Sequence, residues 1–66
     1  MTHRKYWADQ WISLVPDANG RYACHDGVHK WAAPSLMIAA AALAARYNYA
    51  HPGAERTSET YLAELK

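Results

Sequence analysis

Ten residues, Tyr22–Trp31, read YACHDGVHKW and gather one cysteine, two histidines and an aspartate. Such groups can form a metal centre, an activated thiol or a hydrogen-bonded polar turn. A zinc site needs three or four ligands. His25 and His29 stand four residues apart, which would align two imidazoles on one helical face, but Gly27 between them disfavours a helix. The HDGVH run also lacks the glutamate that acts as general base in the HExxH pattern. Cys24 and His25 are adjacent, so on a strand they point to opposite faces and do not readily share an ion. His3 and His51 could complete a ligand set only through the tertiary fold. The expectation is no bound metal and no cofactor, with a small metal-binding protein built on His25 and His29 as one alternative.

Nucleophilic catalysis asks for more than proximity. Cys24 would need an activating base and a third group to orient it, and Asp26 is too close in sequence to supply triad geometry readily. A small half-buried strand cysteine is the plainer reading. The glycines, at 20, 27 and 53, stand too far apart for a phosphate-binding loop. No catalytic residue is assigned, and the chain is read as non-enzymatic.

The elements that position this stretch must come from 66 residues, enough for one small domain spanning 1–66. Apolar residues make up 52% of the chain, but fourteen of them are alanine, which buries little area. Three Trp and five Tyr therefore carry much of the core, and without phenylalanine every aromatic has a polar handle. One cysteine excludes an internal disulfide and points to a reducing, cytoplasmic compartment. The opening MTHRKYWADQW has no apolar stretch behind its basic residues, unlike a secretory signal. Leu36–Ala45, the longest apolar run, is about half a membrane span. A soluble protein is expected.

Trp7 and Trp11, followed by Leu14 and Val15, fit a helical face and predict a short N-terminal helix. Asn19-Gly20 is a turn signal between two β-prone runs, so Trp11–Val15 is expected to pair with Arg21–His25 as a two-stranded hairpin. The alternative is an all-α three-helix chain with one helix from His3 to Leu14 and no sheet. Pro34 suits the first position of a long Ala-rich helix over Ser35–Tyr49, ended by His51-Pro52-Gly53. A C-terminal helix is expected from Thr57 to Leu65, capped by Thr57 or Ser58. The fold class is thus α+β.

On a helical wheel, Leu36, Ala40, Leu43 and Tyr47 form one row, Met37, Ala41 and Ala44 a second, and Ile38, Ala42, Ala45 and Tyr49 a third. Leu36–Ala45 is apolar on every side, and such a helix is normally buried. Either the hairpin and the two flanking helices cover it, or, because so short a chain can hardly wrap it completely, its alanine-rich side is left for another chain. The latter predicts a protein-binding module, an accessory subunit or inhibitor of a larger complex such as mobile elements encode, that meets another protein or itself as a homo-oligomer. The expected partner-binding residues are Trp7, Trp11, Trp31, Ala41, Ala44 and Tyr47.

A net charge of +1 argues against a nucleic-acid mimic and against a dense basic stripe for duplex binding. The basic-aromatic N-terminus gives a further alternative, single-stranded nucleic-acid binding through Arg4, Lys5, Tyr6 and Lys30.

Overall fold

The computed structural model describes residues 3–65. Four short strands, β1 (Arg4–Trp7), β2 (Gln10–Ser13), β3 (Tyr22–His25) and β4 (Lys30–Ala33), precede helix α1 (Leu36–Ala50) and helix α2 (Ser58–Glu64). The strands form one antiparallel meander in the order β1-β2-β3-β4. Both helices follow the sheet in sequence, and α1 packs across β2, β3 and β4. The domain is α+β.

The sheet corrects the sequence reading. No short helix opens the described chain, and the sheet has four strands rather than two. The Trp7 and Trp11 spacing that mimics a helical repeat comes from two strands joined by a tight turn. Trp7 pairs with Gln10, leaving Ala8 and Asp9 as a two-residue loop. Ala8 sits at φ 56°, a left-handed conformation that such hairpin loops usually mark with Gly or Asn. The expected pairing of Trp11–Val15 with Arg21–His25 survives in shortened form as β2 against β3, with Trp11 opposite His25 and Ile12 opposite Cys24.

Register assigns the faces. Lys5, Ile12, Cys24 and Trp31 lie in one cross-strand rank, and Tyr6, Trp11, His25 and Lys30 in the next, so the two ranks point to opposite sides. The first rank faces the helices. Ile12, Cys24 and Ala33 from the sheet meet Ala39, Ala40, Leu43 and Ala44 of α1 and Tyr61 of α2 in the core. Alanines let α1 approach the sheet closely, and Tyr61, fully buried, supplies the bulk that they lack.

The helix ends follow their capping residues. Ser35 caps α1, its hydroxyl accepting from the Ile38 amide at 3.1 Å, so Pro34 lies before the cap rather than inside the helix. Thr57 caps α2 by accepting from the Thr60 amide. Between the helices, the Asn48 carboxamide clamps Arg56, donating to its carbonyl at 2.8 Å and accepting from its amide at 2.7 Å. That clamp fixes where α2 begins.

Candidate functional site

The cysteine-histidine stretch forms a strand end and a turn. Cys24 points into the core and is fully buried; its thiol donates to the Tyr22 carbonyl, and burial raises its pKa. A thiol so placed is a poor nucleophile. His25 points the other way, lying parallel to Trp11 with ring centroids 5.7 Å apart, and its Nδ1 accepts from the Gly27 amide. Asp26 organises the turn: Oδ1 accepts from the amides of Val28 (2.8 Å) and His29 (2.6 Å), and Oδ2 from the Arg46 guanidinium at 2.8 Å. The His29 amide first, then Val28 and Arg46, hold the Asp26 carboxyl down to about 2 against the opposing effect of burial. Among the described residues, no three His, Cys, Asp or Glu side chains converge as a metal site would require.

Arg46 carries this turn to α1. Its guanidinium also lies 4.4 Å from the centre of the Trp31 ring, which ties β4 to the same helix. Beside it, Val28, His29, Ala42, Ala45, Tyr49 and Ala50 line an open groove of about 610 Å³. Its walls are mainly apolar, and the Asp26 and Arg46 charges at its rim answer each other. Val28 is 77% exposed and Tyr49 91%.

From this groove an apolar surface runs along the outward side of α1. Ala39, Ala40, Leu43 and Ala44 are buried, whereas Met37, Ile38, Ala41, Ala45 and Tyr49 are exposed. Leu36–Ala45 contains no charged or polar residue, so this outward side is apolar until Arg46.

The residues expected at a partner surface are dispersed. Trp7 lies on the helix-facing side of β1, edge-on to Tyr61 with centroids 4.6 Å apart, and its indole donates to Glu64. Trp31 occupies the same side on β4, at the far edge of the sheet. Trp11 is on the opposite side, 9% exposed. Tyr47 is half-buried between the Arg56 guanidinium, 3.7 Å from its ring centre, and the stacked His51 ring. Ala44 is core at 6% exposure; of the six, Ala41 alone lies on the outward side of α1. Met37, Ile38, Ala45, Tyr49 and Val28 complete that surface. The first four are on the helical wheel; Val28 reaches it through the β3–β4 turn, which the one-dimensional pattern does not show.

The basic-aromatic set separates as well. Arg4, Tyr6 and Lys30 share the open side of the sheet, while Lys5 faces the helices opposite Ile12. Among the described residues, no helix is long and apolar enough to cross a membrane. Compared with protein families, curated proteins and solved structures, the chain matches none.

Proposed function

We propose that the chain is a small non-enzymatic protein-binding module, that the outward side of α1 is its contact surface, and that its first partner is a second copy of itself. The observation that carries this reading is the exposed apolar run Ile38, Ala41, Ala45 and Tyr49, continued by Met37 and Val28. Contiguous apolar patches beyond a few hundred Å² are uncommon on monomers and mark contact sites.

The spacing favours a second copy. Residues 38, 42, 45 and 49 are symmetric about the midpoint of their own segment, so an antiparallel two-fold pairing sets Ile38 against Tyr49 and Ala42 against Ala45 of the other copy. Ile38 and Tyr49 lie about 16 Å apart along the helix axis. With small residues between them, two helices can approach to about 8 Å. Met37 and Ile38 of each copy then fill the groove between Val28 and Tyr49 of the other. The Arg46 charge at the rim is already neutralised by Asp26, so closing the groove strands no unpaired charge. Such a pair would serve as an accessory subunit or inhibitor within a larger assembly. Its single buried thiol suits a reducing compartment, the cytoplasm.

Analytical ultracentrifugation tests the pairing. The native chain should sediment as a dimer at micromolar to millimolar concentration. Ala45→Arg should give a folded monomer, because an arginine at the crossing point blocks close approach. A native chain that stays monomeric throughout this range overturns the reading, as does an Ala45→Arg variant that dimerises normally.

A further inference from the structure

The side of the sheet turned away from the helices carries a second constellation, independent of α1. We propose that it binds single-stranded nucleic acid, with Arg4 and Lys30 on the phosphates and Tyr6 as the stacking ring. Tyr6, Trp11, His25 and Lys30 stand side by side in one rank across all four strands. Neighbouring strands are about 4.8 Å apart, so the rank is about 14 Å wide, the reach of two to three nucleotides.

Trp11 is the plate on which this rank is built. The Arg4 guanidinium lies 3.9 Å from its ring centre, the His25 ring is parallel to it within 5°, and the Lys30 ammonium is 5.9 Å away. These groups cover the indole, which is 9% exposed although no helix packs over it. A guanidinium lying over an aromatic face leaves its N–H edge available to a phosphate, with less rotamer freedom left to lose.

Neither Arg4 nor Lys30 has a carboxylate partner among the described residues. The four strands contain no Asp or Glu at all. Of the acidic turn residues at the nearer end of the sheet, Asp26 is engaged by Arg46, and Asp9, beside Gly27, forms no ion pair with Arg4 or Lys30. Tyr6, at the β1 end of the rank, is 51% exposed and its ring is free to receive a base. Cations without carboxylates suit any polyanion, and the exposed ring beside them favours one whose monomers stack. This assignment retains Arg4, Tyr6 and Lys30 from the sequence reading, excludes Lys5, and adds Trp11 and His25 as the support.

The test is fluorescence anisotropy of a labelled oligothymidylate or oligouridylate of about eight nucleotides, within the usual range of single-strand site sizes. Binding should be measurable at about 20 mM salt and weaken with a log–log slope of about −1.4, as two phosphate contacts require. Tyr6→Leu should weaken binding about five- to tenfold and Tyr6→Phe should restore it, because the ring and not the hydroxyl stacks. Arg4→Gln and Lys30→Gln should each lower the affinity and flatten the salt slope, while Lys5→Gln changes neither. Far-UV circular dichroism checks that each exposed-site variant remains folded.

No binding at low salt overturns the proposal. So does binding that Tyr6→Leu leaves unchanged, or equal competition by an oligoglutamate, since the surface would then be reading charge alone. The rank lies on the side of the sheet away from α1, so loss of self-pairing and loss of oligonucleotide binding are separate results.

Discussion

The Tyr61 hydroxyl donates to Gln10 Oε1 at 2.6 Å, joining residues 51 positions apart inside the core. Gln10 in turn donates from Nε2 to the Leu43 carbonyl at 3.3 Å, and Arg56 donates to the Tyr61 hydroxyl at 3.2 Å. One chain of hydrogen bonds thus runs from the loop before α2, through α2 and β2, to α1. Gln10 is 4% exposed, so an unpartnered carboxamide there could not turn to water. Tyr61→Phe keeps the ring but leaves Gln10 Oε1 without its donor, and should cost about 1–3 kcal/mol. In a domain of this size that lowers the melting temperature by roughly 4–8 °C per kcal/mol. A double variant, Tyr61→Phe with Gln10→Met, should lose less than the two single losses added together. Additive losses in calorimetry would mean that the two groups are not coupled.

Asp26 gives the fold an acid-sensitive joint. Its carboxyl is held at about 2, below the ordinary 3.8, so the folded state favours the charged form. The resulting stability is fully present above the ordinary carboxylate range and is lost as pH falls from about 4 towards about 2. Asp26→Asn retains an acceptor for the Val28 and His29 amides but no charge for Arg46. Thermal melts should show the native chain ahead of this variant at pH 5–7, with the gap closing as pH approaches 2. A gap independent of pH would remove the ionised carboxylate from the account.

Much of the helical half was legible in the sequence, because its signals are local. Thr57, one of the two expected caps, does cap α2, and α1 falls within a residue of the expected span, although Ser35 caps it where Pro34 was expected to open it. The β2–β3 turn was equally plain: Gly20 takes positive φ, and Asp17 accepts from the Asn19 and Arg21 amides. The N-terminal hairpin was not, because Ala8-Asp9 carries no turn signature and Trp7 and Trp11 happen to repeat at helical spacing. Nor could the candidate surfaces be separated one-dimensionally. Pairing register sends Lys5 and Lys30 to opposite sides, and only the β3–β4 turn brings Val28 beside Tyr49.

The same missing signature yields a stabilising substitution. Ala8 bears its φ of 56° with a Cβ present, a conformation that glycine adopts without that steric cost. Ala8→Gly should therefore stabilise the hairpin by about 0.5–1 kcal/mol, the relief of strain exceeding the added freedom of the unfolded chain. Urea denaturation would register this as a higher midpoint with an unchanged slope. A lower midpoint would show that Ala8 is not strained.

Cys24 should behave as a core residue rather than a reagent. With no exposed surface and a pKa raised by burial, its thiol should react with an aromatic disulfide about a hundredfold more slowly in the native state than in urea. Equal rates in the two states would place the thiol at the surface and reopen the question of its chemistry.

Two alanines three positions apart on α1 separate core from contact surface. Ala44 is 6% exposed among Ile12, Cys24 and Leu43, whereas Ala41 lies on the outward side. Arginine at position 44 has no route to water that leaves the sheet in place, and burying its charge without a partner costs several kcal/mol. That is a large part of what so small a domain can hold in reserve. Ala44→Arg should therefore abolish the cooperative thermal transition. Ala41→Arg adds a helix-compatible side chain directed outward and should leave the monomer's stability within about 0.5 kcal/mol of the native value. Its effect should fall on association instead, since position 41 borders the proposed crossing point. Should Ala41→Arg also unfold the chain, the outward side of α1 would be an internal surface and the self-pairing proposal would fall with it.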